Sequence, residues 1–231
     1  MPPILLSGPP GVGKTAFADA IASCLGLPLR RVDIASSTAG FVIAGSHSSW
    51  AASRPGVVWS LLQSKAAAGV LMLDEIDKAG ESKYPVLGPL YTLLEPNSAK
   101  HFTDEFMDLP VDASNLTWIA TCNHAERIDG ALRSRFVEFT IPMPTPQQMA
   151  AIARSVYRRL RETTAWAQAF DPELPSGVVE ALTAATPRQL VRTLEDAHAH
   201  AAVCGRRRLL AEDIDLGKSG KAKDARRMGF V

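Results

Sequence analysis

GPPGVGKT, Gly8 to Thr15, is the stretch on which the fold turns. It fits G-x-x-x-x-G-K-[ST] and lies between an apolar run, Ile4 to Ser7, and a helical pattern, Lys14 to Leu25, which is the strand–loop–helix setting that a phosphate-binding loop requires. Gly8, Pro9, Pro10, Gly11, Val12, Gly13, Lys14 and Thr15 are therefore the candidate binding residues. Glycines let backbone N–H groups curl around a β-phosphate, and the helix that follows aims its positive N-terminus at the same point. Lys14 neutralises charge on the β- and γ-phosphates, and the Thr15 hydroxyl is a ligand for Mg²⁺. The predicted ligand is a nucleoside triphosphate.

Holding a triphosphate is not cleaving it; a carboxylate for the metal and a base for the water are also needed. VLMLDEID supplies both. Val70 to Leu73 reads as a buried strand ending in Asp74, which puts a carboxylate at the strand's carboxyl end, where parallel sheets bind phosphates. Asp74 suits the Mg²⁺ shell, and Glu75, one residue further out, suits proton abstraction from the attacking water. A third run, LTWIATCN, ends in Asn123. An Asn after a strand is commonly a turn residue; at the tip of a central strand its amide can also orient the water that Glu75 activates.

Outward from these motifs, short apolar runs alternate with helical patterns through the first 145 residues, as in a parallel sheet wrapped by crossover helices. The predicted strands are Ile4 to Ser7, Leu29 to Ile34, Val70 to Asp74, Leu116 to Thr121 and Val137 to Ile141. The predicted helices are Lys14 to Leu25, Val57 to Ala68, Pro85 to Leu94 and Asp129 to Arg135, with Ala35 to Arg54 a long loop. PMPTPQQ, Pro142 to Gln148, breaks the chain before a second region with helical patterns alone. There Thr145 and Gln148 form a capping pair ahead of Met149, Ile152, Val156 and Leu160, and further helices are predicted at Ser176 to Thr183, Pro187 to Cys204 and Ala211 to Leu216. The fold class is thus α/β, a P-loop parallel sheet over 1–143, with a small helical domain over 144–216 and a polar, basic tail over 217–231.

Composition narrows the functional classes. With 231 residues, 46% of them apolar, and a net charge of +1, the chain is an ordinary globular protein. Residues 1 to 145 carry 11 Lys and Arg against 14 Asp and Glu, net −3, and residues 146 to 231 carry 14 against 10, net +4. The basic run Arg206 to Arg208 reads as a solvated helix face. Cys24, Cys122 and Cys204 form no CxxC pair, so neither a disulfide framework nor a zinc site is predicted. His47, His101, His124, His198 and His200 show no ligand spacing, and His198 and His200 point to different faces of one helix. No stretch reaches the length of a membrane span or a signal-peptide core, and the predicted location is the cytoplasm.

Taken together, the motifs resemble those of the AAA+ ATPases, and within them the ATPase portion of Lon proteases. GPPGVGKT looks like their Walker A, LMLDEID their Walker B, IATCN their sensor 1, and ALRSRF and TPRQLVR their arginine-finger and sensor-2 segments, in the family's order over Ile4 to Cys204. LLEPNSAKHFTDEFMDLPVDASNLTWIATCN is also similar to Lon. The resemblance implies an ATPase using ATP and Mg²⁺, with Asn123 as sensor 1, Arg188 as sensor 2 and Arg135, rather than its neighbour Arg133, as the arginine finger. A finger acts in trans, so the resemblance implies a homo-oligomeric ring, hexameric in that family, acting on a protein client. Anchored on Pro55-Gly56, the family's aromatic–aliphatic pore pair falls on Trp50 and Ala51, with Trp where Tyr is usual and Ala where a larger aliphatic is common. The alternative reading of Trp50 is a loop residue packed on the core.

Two departures from Lon bear on function. The chain stops 27 residues after Cys204, leaving no room for the serine–lysine protease domain, so no peptidase site is expected. Met1 lies seven residues before Gly8, short of the preceding segment that in AAA+ modules contacts adenine; a missed upstream start, a fragment and a separate supplying chain all fit. Two other function classes compete with protein remodelling. A nucleic-acid motor or clamp-loader-like ATPase would use the same phosphate chemistry, but phosphate-backbone binding wants a broader basic face than a surplus of four without interleaved aromatics. A nucleotide-binding module without turnover is the other.

Overall fold

The computed structural model describes residues 1–37, 40–63, 68–79 and 85–217. They fall into two compact units, Met1–Met143 and the residues from Pro144 onward.

In the first unit β1 (Ile4–Ser7) leads into α1 (Lys14–Leu25), and β2 (Leu29–Asp33) is followed by α2 (Phe41–Ala44), α3 (Val57–Leu62) and β3 (Val70–Asp74). Short helices α4 (Leu90–Leu93) and α5 (Pro96–Ala99) precede an antiparallel hairpin of β4 (Phe102–Asp104) and β5 (Leu109–Val111); β6 (Thr117–Cys122), α6 (Gly130–Arg133) and β7 (Val137–Thr140) complete the unit. β1, β2, β3, β6 and β7 form one parallel sheet in the order β2-β3-β6-β1-β7. The order sets the function-bearing geometry: β3, β6 and β1 are neighbours, so whatever follows their carboxyl ends is brought together.

β3 shows why an unbroken apolar run makes a strand here. Leu71 and Leu73 join one core with Leu5, Trp118 and Ala120, while Val70 and Met72 join another with Leu6 and Ile119. Period-2 alternation thus sends side chains into an apolar layer on each face. All four are fully buried, each contributing roughly 1.5–3 kcal/mol. α1 lies on the second face through Ala18 and Ala22, four residues apart, whose small side chains let the helix carrying Lys14 approach the sheet closely.

Several predicted elements are shorter or different. Pro85 to Leu94 is helical only over α4, because Pro89, at the N-cap of α4, has no N–H to continue a helix through it. The helix predicted over Val57 to Ala68 is observed as α3, residues 64–67 lying outside the described residues, and the one over Asp129 to Arg135 as α6, capped by Asp129, which accepts from Ala131 N at 3.0 Å and Leu132 N at 3.1 Å. Predicted strand ends move by one residue at Ile34, Leu116, Thr121 and Ile141. The predicted loop Ala35 to Arg54 contains α2, and the hairpin was not predicted. The tail from residue 218 lies outside the described residues.

The second unit consists of α7 (Pro146–Thr163), α8 (Ser176–Leu182), α9 (Pro187–Val203) and 3₁₀ turns at Ala165–Ala169 and Ala211–Asp213. Thr145 and Gln148 form the predicted capping box, the Thr145 N–H donating to Gln148 Oε1 at 2.9 Å, and Thr186 and Gln189 form a second one before α9. Arg206 does not lie on a solvated helix face. It donates through Nη1 and Nη2 to buried Asp213 at 2.8 and 2.7 Å, and this pairing holds the Asp213 carboxyl well below the usual range. Among the described residues no helix is long and apolar enough to cross a membrane.

His198 sits inside this unit. Its ring stacks on Tyr157 at 5.5 Å and meets the edges or faces of Phe170 at 4.6 Å and Trp166 at 5.2 Å. Nδ1 donates to Leu194 O at 2.6 Å, whereas Nε2 is buried without a partner among the described residues. Burial pushes the imidazole below its ordinary range. The unfolded chain then binds this proton more readily than the folded one, so the associated stability is complete above the ordinary imidazole pKa and is lost as pH falls through and below it. Heat denaturation from pH 7.5 down to about pH 5 should show the melting temperature of this unit falling. His198→Phe should flatten that dependence; an unchanged slope in the variant would assign the effect elsewhere.

Candidate functional site: the carboxyl ends of three neighbouring strands

The loop from Gly8 to Gly13 leaves β1 with backbone that only glycine tolerates. Gly8 has φ +149°, and a Cβ there would lie 2.2 Å from the Ile141 carbonyl oxygen. Gly13 caps α1 in the left-handed region, with φ 100° and no side-chain cap, which leaves the first N–H groups of α1 facing the loop. Lys14, the first helical residue, is 8% exposed. Its ammonium donates to Gly8 O at 2.8 Å, Pro9 O at 2.9 Å and Asn123 Oδ1 at 2.9 Å. Burial pushes the Lys14 pKa down, while the surrounding Asp74, Asp77 and Glu75 carboxylates oppose that. Cys122, beneath the loop, is pushed up to about 11 by burial and stays a thiol.

Asp74 ends β3 half-buried, and accepts a hydrogen bond from the Thr121 hydroxyl of adjacent β6. Thr121 in turn accepts from the Glu75 N–H at 3.0 Å, so one buried hydroxyl fixes two consecutive acidic residues. Glu75 lies in the left-handed region, φ 57° and ψ 49°, a conformation disfavoured for a residue with a Cβ and found where a side chain is re-aimed at a site. Its carboxylate pairs with Lys78 at 2.6 Å. Asn123 follows β6. Its N–H and that of His124 donate to Asp77 Oδ2 at 3.1 and 3.0 Å. Lys14, Asp74, Glu75 and Asn123 thus converge where the sheet order predicts. Asp77 and Thr121, which organise them, were not singled out from sequence; the acid three residues after Asp74 and the threonine near the carboxyl end of an apolar strand were the available signals.

Among the described residues no group of three or more His, Cys, Asp or Glu could hold a metal unaided. Mg²⁺ commonly takes one or two protein oxygens and completes its octahedron with phosphate oxygens and water. The Asp74 carboxylate and the Thr15 hydroxyl are hard oxygen donors of that kind, so the residues present fit Mg²⁺ bound together with a nucleotide.

The other candidates in the first unit make contacts of their own. Arg133 gives Nε and Nη2 to Glu138 Oε2 at 2.8 and 2.6 Å and is committed within its own chain. Arg135 lies over the Tyr91 ring at 5.4 Å and donates Nη1 to Ala131 O at 2.7 Å, remaining part-exposed. Trp50 is 45% exposed and packs edge-on to Phe41 at 4.9 Å, beside an open cavity of about 470 Å³ that Ala51 and Arg54 also line. The loop bearing it is closed at its base: Ser46 N donates to Arg54 O at 3.1 Å, and buried Asp104 of the hairpin accepts from Gly56 N at 2.9 Å, Phe106 N at 3.0 Å and Met107 N at 3.1 Å. Arg188 is exposed in the first turn of α9, in the second unit.

A parallel sheet of this order, with a glycine-rich loop after β1 and an acidic pair after β3, defines a P-loop nucleotide-binding protein of the AAA fold. Residues 4–143 match the family described as "ATPase family associated with various cellular activities (AAA)", and the chain belongs to it. Its relatives include Lon protease of Desulfovibrio desulfuricans, 33% identical over 155 residues covering 66% of this chain and 18% of the relative, and Lon protease 4 of Sorangium cellulosum, 31% identical over 185 residues covering 78% and 22%. The chain therefore spans about a fifth of the length of these relatives. Among solved structures, the RuvB Holliday junction branch migration motor of Thermotoga maritima superposes with a TM-score of 0.63 at 21% identity, covering 92% of this chain and 59% of that one, a likeness of fold.

Proposed function

We propose that this chain is an ATP-hydrolysing module of Lon type that works in a homo-oligomeric ring, in the cytoplasm, to unfold or remodel a protein client. The observation that carries the reading is the convergence of Lys14, Asp74, Glu75 and Asn123 at three adjacent strand ends. On nucleotide binding, Lys14 exchanges its carbonyl partners for phosphate oxygens, and the Gly8-to-Thr15 amides surround the β-phosphate. Asp74 and Thr15 would hold Mg²⁺, which when bound would supply charge neutralisation on the phosphates. Glu75 takes the proton of the attacking water, and the Asn123 amide, released from Lys14, orients that water. Arg135 of a neighbouring copy and Arg188 stabilise the developing γ-phosphate charge. Trp50, with Ala51, grips the client through a flat apolar surface that reads no sequence.

Mass photometry with and without ATP and Mg²⁺, alongside ATPase rates over a range of protein concentrations, tests this. Expected are a nucleotide-dependent oligomer and a specific activity that rises with concentration, with Lys14→Ala abolishing ATP binding. Hydrolysis by a monomer at a concentration-independent rate would end the ring; a wild-type chain that ignores ATP would end the nucleotide reading altogether.

A further inference from the structure

We propose that Asp77 is the positioning residue of Asn123, its carboxylate fixing the backbone from which the water-orienting amide projects. This rests on the hydrolytic reading above and adds to it a residue that touches neither nucleotide nor water. β3 pairs with β6 only as far as Leu73 opposite Ala120, whereas β6 continues to Cys122 along β1 on its other side. Past Ala120, the β3 side of β6 therefore lacks a strand partner, and side chains from the turn after β3 take over. Thr121 is engaged with Asp74 and with the Glu75 N–H; the next two free N–H groups, of Asn123 and His124, both end on Asp77 Oδ2.

The arrangement is costly if it serves stability alone. Asp77 is 9% exposed, and its other oxygen, Oδ1, is buried with no partner among the described residues. Leaving a buried carboxylate oxygen unpartnered opposes folding, and a turn that merely needed closing would be closed more cheaply by a neutral acceptor. What the carboxylate secures is one fixed position. Among the described residues the Asn123 side chain is held by Lys14 alone, at 2.9 Å, and in the proposed mechanism that contact is given up when the lysine turns to phosphate. From then on Asp77 is the anchor for the Asn123 backbone. Displacement of a positioning group by about 1 Å can lower turnover by about 10²-fold.

Two variants and two readouts test this. Asp77→Ala is expected to lower kcat by about 10- to 100-fold while the ATP dissociation constant stays within about twofold, and to speed amide hydrogen exchange at Asn123 and His124. Asp77→Asn keeps an oxygen acceptor for both N–H groups and should restore most of kcat together with slow exchange at those two amides. Overturning results are wild-type kcat in Asp77→Ala, a kcat loss with exchange at 123 and 124 unchanged, or a loss that Asp77→Asn does not rescue. Exchange in the nucleotide-free chain needs no turnover. If wild type fails to hydrolyse ATP, the hydrolytic reading falls, and the exchange rates still decide whether Asp77 holds this segment.

Discussion

Glu75→Gln is expected to leave ATP bound and to lower its turnover by about 10²- to 10⁴-fold, the usual contribution of a positioned general base. Gln has the size of Glu and keeps a carbonyl acceptor, but it cannot take the proton of a water. In the proposed mechanism the groups that hold phosphate and metal are other residues: Lys14, Thr15 and Asp74. The backbone at position 75 keeps its N–H bond to Thr121, at 3.0 Å in wild type. What the substitution removes is the charge that pairs with Lys78, a contact with both side chains part-exposed, of the kind that contributes about 0–1 kcal/mol to stability. Loss of turnover cannot then be charged to unfolding. Equilibrium nucleotide binding and phosphate release on the same preparation check both halves; hydrolysis at the wild-type rate would remove Glu75 from the chemistry.

Arg135→Ala should cost about 10³-fold or more in kcat, the range for a guanidinium supplied to a transferring γ-phosphate. Its contacts within its own chain are modest: one bond to the Ala131 carbonyl and a stacking contact on Tyr91. Together these are worth about 1–2 kcal/mol, too little to unfold a domain of this size. Arg133, by contrast, is tied by two donors to Glu138, and its replacement should be felt in stability before activity. The sharper measurement mixes two inactive variants. Arg135→Ala chains keep an intact loop and Lys14→Ala chains keep an intact arginine, so mixed assemblies should recover activity if the arginine crosses between copies. Mixtures as inactive as their components would place Arg135 in cis or outside the reaction.

Much of the site was legible from residue order because its parts are local. A glycine-rich loop must follow a strand and open a helix, and an apolar run ending in Asp-Glu must deliver carboxylates at a strand tip. Both are properties of fewer than ten consecutive residues. Asp77 and Thr121 escaped because their partners depend on how far the β3–β6 ladder runs, and ladder length is a tertiary fact. The hairpin escaped for a different reason. Three-residue strands around Asp108, itself in the left-handed region at φ 50°, are too short to display an alternation. Pro89, read as part of one long helix, divides that segment because a missing donor outweighs the favourable apolar spacing around it.

The carboxylate of Asp104 has a consequence at the scale of evolution. By gathering the amide of Gly56 and two amides of its own hairpin, with the Ser46–Arg54 pair closing the neck beside it, it seals the base of the segment that carries Trp50. A sealed neck makes the tip a cartridge. Residues between 47 and 53 can be exchanged or lengthened by selection without disturbing the glycine-rich loop, so the exposed tip that carries Trp50 is free to diverge while the strand-end cluster stays as it is.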